Sequence, residues 1–551
     1  MQPTLEMAET WSKDRLATML RDTPCLRGKV KDPRSRDSGN TILHKRFPAG
    51  HLTVCGANSA ASLASRPIGR VICDEADRYP ASAGTEGDPI SLAKKRMASF
   101  PDALLVMVST PTLEKRSRIR KEFLSSDQRF WFCPCPHCGT FQVIEHDQVK
   151  WAEDGTSNAW VECKGCSEHI DDEQRQAMVR AGRWVATAKF NGIRGYHLNG
   201  LVVLFRQQRG YKNRLHQYVE EFLAAKRGGI ESYQVWWNTV NCEVWSADYA
   251  VTDTDPLLKR REDYGPALPK KIVVLTAGVD VQNDRLECEV VGWGPGEESW
   301  SVEYKVFPGN VAEAEVWQQL DEFLLRTWKA EDGYSMSIAC TAIDFGNGNH
   351  SKYICDFCRP RAARRVYAVK GRGGPGIHLV STPKPNKKYK VMHYIIGADT
   401  AKGIIYGRLK IEKPGPGYMH FPKRKEYESE YFKQLTSEQP DYKVRGGHYV
   451  LVWLQKYTRN EALDCRNYAL GALAILNPDF TVLTKRLERT RRVYNLKAAT
   501  KPTEQTEKAP EVSTVQTEKP AETEQKQEAQ PRKIVRRSRR PGGFVNAWKK
   551  Y

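Results

Sequence analysis

The chain has 551 residues, more than one ordinary hydrophobic core accommodates, so two or three folded domains are expected. A 40% hydrophobic and 10% aromatic content is that of a globular protein, and a net charge of +20 points to a polyanionic partner, either nucleic acid or an anionic membrane surface. There is no run of about 18 apolar residues, which argues against a membrane-spanning helix. Glu6, Glu9, Lys13, Asp14 and Arg15 rule out a secretory signal at the start. The cysteines are scattered, several within apolar runs (Cys73, Cys288, Cys340), which fits a reducing cytosolic setting and no disulfide framework.

Residues 1–130 read as α/β. His51–Gly56, Val71–Cys73 and Ala103–Val108 are short buried-strand candidates between polar or helical stretches. Residues 131–190 are rich in Cys and Trp. The stretch 191–268 is a connector with a helix over Leu215–Lys226, an aromatic cluster at Tyr233, Trp236 and Trp237, and punctuation at Pro266 and Pro269. From Lys271 a β-rich block begins. Ile272–Val281 and Leu286–Trp293 form a hairpin turned at Asn283-Asp284. Ser337–Phe345 and Arg365–Lys370 are further strands, and Asn460–Leu476 is a strong helix with Asn460 at its N-cap. The tail is set at 481–551; beyond about residue 498 the Lys/Glu/Gln/Thr/Pro composition cannot bury a core and predicts disorder.

Three acids stand where strands or a helix would present them: Asp280 and Asp344 at strand ends, and Asp464 in the first turns of the helix. Carboxylates arranged in that order suit two-metal phosphodiester hydrolysis, in which hard oxygen ligands hold Mg²⁺ or Mn²⁺. An RNase H-like core supplies acids in this way, from a first strand, a later adjacent strand and a helix packed on the sheet. Asp284 reads as a turn residue and Glu287 as a secondary ligand. Val71-Ile72-Cys73-Asp74-Glu75 reads as a Walker B element, with Asp74 orienting the Mg²⁺ of ATP and Glu75 polarising water. Cys135-x-x-Cys138 and Cys163-x-x-Cys166, about 24 residues apart, form a four-thiolate zinc-ribbon signature. Cys133 is an extra candidate read as no ligand, His137 and His169 are close alternatives not needed for four ligands, and Cys355-x-x-Cys358, lacking a second pair, reads as structural with metal binding as the lesser alternative.

The stretch Gly278–Glu287, with Asp344-Phe345-Gly346 and Asn460-Glu461-Ala462-Leu463-Asp464-Cys465, resembles the three nuclease motifs of lambda-type phage terminase large subunits. Lys370-Gly371, Gly417–Pro422, and Leu435 with Glu438 also resemble family blocks, and the resemblance runs to about residue 480. It implies an α/β multidomain protein: a partial P-loop-type ATPase module (1–130), a zinc-ribbon insert (131–190), an RNase H-like endonuclease (269–480) and a basic tail. It further implies cutting of concatemeric double-stranded DNA, a small terminase subunit and a capsid portal as partners, a possible ring oligomer, and action in the host bacterial cytoplasm. Ser109-Thr110-Pro111-Thr112 then resembles the coupling motif that senses the γ-phosphate.

No glycine-rich phosphate loop precedes Asp74. Gly28-Lys29 has Val30 where Ser or Thr belongs, and Lys370-Gly371-Arg372-Gly373-Gly374 reads as a flexible loop near DNA. Because Met1-Gln2-Pro3-Thr4 resembles an internal family segment, the expectation is a motor half begun after that loop: a truncated gene, a misassigned start or a separate upstream chain. No ATP hydrolysis by this polypeptide alone is then expected. Arg359, Arg361, Arg364 and Arg365, and Lys384, Lys387, Lys388 and Lys390, are candidate DNA-phosphate contacts or solvated faces. Arg532–Arg540 with Phe544, Trp548 and Tyr551 resembles family tails that dock on the portal; nonspecific DNA contact is the equal alternative. The rival readings are a truncated prophage terminase with nuclease but no ATPase activity, and a non-catalytic zinc-containing DNA- or capsid-binding protein.

Overall fold

The computed structural model describes residues 1–30, 40–48, 50–64, 67–114, 116–152, 155–246, 253–346, 348–374, 376–445 and 448–499. The expected disordered tail, its Arg532–Arg540 cluster and its aromatic tip lie outside the described residues. No described helix is long and apolar enough to cross a membrane.

In the first part, strands β1 (Arg70–Asp74) and β2 (Leu104–Val108) pair in parallel with Asp74 opposite Val108. Both were expected to be buried. Cys73 is, but Ile72 is 61% and Val108 54% exposed, because among the described residues β1 and β2 pair only with each other. A parallel sheet ordinarily hides both faces. His51 and Leu52 likewise lie on an exposed hairpin strand, Gly50–Thr53.

A cysteine-bearing module follows. Strand β3 (Arg129–Pro134) lies between β4 (Arg183–Ala186) and β5 (Tyr196–His197), with helix α1 (Asp172–Arg180) packed nearby. Helix α2 (Arg214–Arg227) buries Leu215, Tyr218, Val219 and Phe222 at helical spacing and shares a core with the module.

The second half is built on a nine-stranded sheet. Its centre is β6 (Val274–Val281), flanked by β7 (Arg285–Trp293), which turns into β8 (Ser299–Pro308). On the other side, β9 (Ser335–Asp344), β10 (Val366–Arg372) and β11 (Val391–Gly397) run parallel to β6. Helix α3 (Ser351–Cys358) packs into the core on one face of this sheet. On the other lie α4 (Ala398–Leu409), α5 (Ser429–Leu435) and α6 (Glu461–Leu476). Every residue of β6 is buried, as a run of Val, Leu, Ala and Gly between two cores demands. Gly278 lets α6 come down on the sheet: a Cβ there would stand 2.0 Å from the Cys465 carbonyl oxygen. Small residues of α6 (Ala462, Cys465, Ala469, Ala472) complete the contact. The sheet is thus mixed, with antiparallel β7 and β8 on one side of β6, parallel β9 to β11 on the other, and helices on both faces.

Four expectations change. Helix α7 (Phe480–Ala499) continues where the tail was set to begin. Leu483 and Leu487 pack on the core, and Arg491 donates to the Lys270 carbonyl and pairs with Asp332. Lys370-Gly371-Arg372 belongs to β10 instead of a flexible loop, held by pairing with Ile395–Gly397. Asn460 takes the N-cap position of α6 without capping it; its side chain is turned to Asp464. The arginines after Asp344 are largely neutralised, Arg361 and Arg364 on Asp321 and Arg359 on Asp356, which weakens them as phosphate contacts.

Candidate active site

Asp280 ends the central strand β6, Asp344 ends its parallel neighbour β9, and Asp464 sits one turn into α6, the helix that rests on both. Their carboxyls are positioned by neutral donors. The Gln282 amide donates to Asp280 Oδ2 at 2.6 Å. The hydroxyl of Tyr468 donates to Asp344 Oδ1 at 2.9 Å, as does the Gly346 amide at 3.0 Å. Asn460 and Asn467 donate to Asp464 at 3.0 and 3.4 Å. Among the described residues, no Lys or Arg makes an ion pair with any of the three.

The electrostatics follow from that arrangement. Burial pushes the Asp280 carboxyl well above the ordinary carboxylate range, and Asp464, Asp344 and Glu461 push it further. Burial raises Asp344, opposed by the Tyr468 hydroxyl and the Gly346 and Phe345 amides. Burial also takes Asp464 up to about 6; Lys402 opposes this, while Glu438 and Asp344 add to it. Three clustered carboxyls, Asp280 buried and Asp344 and Asp464 half-buried, with no cation directly on them among the described residues, form the donor set a divalent metal would discharge. Beside Asp464, Lys402 of α4 meets Glu438 at 2.6 Å.

Two weaker candidates sort themselves. Asp284 is a turn residue, paired with Arg285 at 2.8 Å. Glu287 lies opposite Asp280 on β7, yet Arg285 and Arg459 hold it at 2.6 and 2.8 Å and the Tyr304 hydroxyl donates to it. A carboxylate so engaged is a framework group. The sequence reading missed Tyr468, although its place four residues after Asp464 on one helix face was a usable signal. It named Glu438 only as part of a family block and missed its partner Lys402, which only tertiary folding brings to it.

In the first part, β1 and β2 bring Asp74 and Glu75 beside Ser109 and Thr110. Asp74 accepts from the Gln2 amide at 3.0 Å, and Glu75, in left-handed backbone at φ 54°, accepts from Arg78 at 3.2 Å. Ser109 accepts the Asp77 amide at 3.2 Å and donates to the Thr110 carbonyl. Asp77 was not foreseen. It accepts from the Thr112 amide and hydroxyl and from the Ile119 amide, so it ties the loop after β2 to the end of β1.

Cys135, Cys138, Cys163 and Cys166 place their sulfurs within 4.8 Å of one another. Cys138 Sγ lies 3.8 Å from Cys163 Sγ, and Cys135 Sγ 4.0 Å from Cys166 Sγ. Tetrahedral thiolates at about 2.3 Å from zinc stand about 3.8 Å apart, so the set fits that ion. Burial opposes ionisation of Cys163, but amides from Cys166 and Gly165 and the Gln142 side chain bring its thiol down to about 6. Cys133 is buried outside the quartet. His137 contacts the His169 carbonyl, and the His169 ring stacks on Trp160. Cys355 and Cys358 are buried on α3 as core thiols.

Residues 193–486, more than half of the chain, match the family model "Terminase large subunit gpA, endonuclease domain". The chain belongs to the phage terminase large subunit gpA family. Residues 1–184 match that family's ATPase domain. The large terminase subunit of Escherichia phage lambda is 28% identical over 501 residues, 86% of this chain and 77% of that protein. The large subunit of Enterobacteria phage P21 is 28% identical over 506 residues, with the same two coverages. The crystal structure of the HK97 bacteriophage large terminase aligns over 86% of this chain and 83% of its own, at 12% identity and a TM-score of 0.25, a superposition too loose to bear on the fold. This terminase subunit therefore joins an ATPase domain to a nuclease domain, the two enzymatic parts of a phage DNA-packaging machine.

Proposed function

We propose that this terminase subunit is a divalent-metal-dependent endonuclease acting on concatemeric double-stranded phage DNA through Asp280, Asp344 and Asp464. The single observation that supports this reading most is the convergence of three carboxyls, Asp280 buried and Asp344 and Asp464 half-buried, that raise one another's pKa and, among the described residues, lack a direct basic partner. Mg²⁺ or Mn²⁺ held there supplies the charge that activates water and steadies the leaving oxygen. The protein's part is to fix the ligands: Gln282 turns Asp280, Tyr468 holds Asp344, and Asn460 with Asn467 holds Asp464. Zinc in the four-cysteine site staples the module between motor and nuclease and takes no part in the chemistry.

The motor role follows the same logic. Asp74 orients the Mg²⁺ of ATP, Glu75 polarises the attacking water, and Ser109 and Thr110 sense the γ-phosphate. The working assembly then includes a small terminase subunit and the procapsid portal, around which several copies form a ring in the host bacterial cytoplasm. The domain limits we adopt are 1–130 for the motor, 131–190 for the zinc ribbon, 191–268 for the connector and 269–480 for the nuclease. The sequence has no Gly-Lys-Ser/Thr loop before Asp74, which favours as second reading a nuclease that does not turn over ATP alone.

Asp344→Asn should abolish Mn²⁺-dependent plasmid cleavage while the circular dichroism and unfolding midpoint stay as in the parent; undiminished cutting would end the site assignment. DNA-stimulated ATP turnover by the purified chain separates the two motor readings.

A further inference from the structure

Residues 174–219 contain nine Lys and Arg and not one Asp or Glu. Two strands of that stretch, with Arg129–Pro134 between them, give the cysteine module a sheet face of aromatic rings. Trp184 of β4 lies opposite Trp131 of β3, and Tyr196 of β5 lies opposite Arg129, so the four share one face. Trp131 and Trp184 meet edge to face at 5.2 Å, Trp184 and Tyr196 at 4.9 Å, and the Arg129 guanidinium lies 5.8 Å from the Tyr196 ring. At the same end of the sheet the loop 187–195 presents Phe190, with Arg194 over its ring at 5.5 Å. Tyr196 and Phe190 are each 52% exposed, and Lys189 and Arg194 are exposed beside them. Asp127, the carboxylate that contacts this face, is buried and accepts from Arg129 at 2.8 Å and from the Gly195 amide.

We propose that this face binds single-stranded DNA, with unpaired bases stacking on Tyr196 and Phe190 and phosphates meeting Lys189 and Arg194. The charge selects a polyanion, since the exposed Lys189 and Arg194 beside the rings gain by releasing the ions condensed on a phosphate backbone. The exposed rings select the strand state. A duplex keeps its base faces stacked inside, so aromatic planes beside cations add affinity where bases are unpaired. The surface stands on a different sheet from Asp280, Asp344 and Asp464. It is a second DNA contact, separate from the cleavage chemistry, and needs no nuclease metal.

The test is fluorescence anisotropy of the full chain with a labelled oligonucleotide, single-stranded or annealed to its complement, with no divalent cation added. Phe190→Ala with Tyr196→Ala should weaken single-strand binding by about tenfold and leave duplex binding where it was. Tyr196→Leu, which keeps apolar area but loses the stacking plane, should weaken it in the same sense even if the alanines disturb the loop. Lys189→Glu with Arg194→Glu should lower affinity for both forms and flatten the salt dependence. Single-strand affinity unchanged in the aromatic variants would overturn the proposal, as would equal losses for single strand and duplex. Loss of plasmid cleavage in Asp344→Asn with single-strand binding intact would keep this surface apart from the nuclease reading, whichever of the two fails.

Discussion

The phenolic oxygen of Tyr468 stands 2.9 Å from Oδ1 of Asp344 and donates to it, although the two residues are 124 positions apart in the chain. The ring is largely buried, so the hydroxyl has exchanged water for this carboxylate. It fixes one orientation of Asp344 and leaves Oδ2 available to a metal. Tyr468→Phe removes the hydroxyl and keeps the ring. Groups that orient a metal ligand typically contribute about 10- to 100-fold in affinity or activity, so cleavage should fall by that order. The Mn²⁺ concentration needed for half-maximal cutting should rise, and the unfolding midpoint should scarcely move. Cleavage and Mn²⁺ dependence equal to the parent's would show that the hydroxyl does not position Asp344.

Arg466 and Glu289 hold the helix of Asp464 to the sheet of Asp280. Both are almost fully buried; Nη2 meets Oε1 at 2.6 Å and Nε meets Oε2 at 3.1 Å, with Tyr431 and Ser301 completing the network. Removing one partner strands the other charge without water, which costs roughly 3–5 kcal/mol. Glu289→Ala should therefore destabilise the nuclease half by that amount in urea unfolding. Replacing both with apolar residues should recover much of the loss. A double variant no better than the single would mean that packing around Arg466, and not its charge, carries the stability.

The backbone plan of the second half was legible because its signals are local. The buried run before Asp280, the turn at Asn283-Asp284 and the apolar periodicity of Asn460–Leu476 all depend on neighbours in sequence. The arrangement of the site residues was legible to the same degree: two strand ends on adjacent parallel strands and one helix turn are brought together. What escaped was long-range pairing. Nothing local to Arg361 and Arg364 marks Asp321 as their partner, and nothing near Glu287 marks it as spent on Arg459. The exposed faces of β1 and β2 were misjudged for a related reason. Apolar alternation tells which residues prefer to be covered, and whether a neighbour covers them is a tertiary fact.

His146 sits in an aromatic cage in the core shared by the cysteine module and α2. Its Nδ1 lies 3.0 Å from the Tyr218 hydroxyl, and the rings of Phe222, Trp236 and Trp237 surround it at 4.5, 5.2 and 5.7 Å. Burial lowers its pKa to about 4, with Lys226 and Lys150 acting in the same sense and Asp147 opposing. An unfolded chain protonates this ring near pH 6.5. Above that pH both states carry it neutral and its contribution is fully present. Between about pH 6.5 and 4 only the unfolded state gains the proton, so stability is lost as the pH falls, by up to about 3 kcal/mol. Urea unfolding of the full chain at stepped pH should show this decline, and His146→Phe should remove its share. An identical pH slope in that variant would exclude His146 as the source.

The four-cysteine site makes the sharpest division between residues of one type. Cys135, Cys138, Cys163 and Cys166 have sulfurs close enough for one tetrahedral ion, whereas Cys133 is buried beside them and outside the set. A structural zinc contributes folding energy that the small hydrophobic core around it does not replace. Purified protein should therefore carry zinc at about one ion per chain. Cys163→Ser should lose it and should lower the unfolding temperature, because the loops carrying the two pairs are then left with hydrogen bonds such as that from the Lys164 amide to the Gln142 side chain at 2.9 Å. Cys133→Ser and Cys355→Ser should retain the metal, since their sulfurs touch none of the four. Elemental analysis of the three variants decides the matter: zinc retained in Cys163→Ser, or lost in Cys133→Ser, would require a different ligand set.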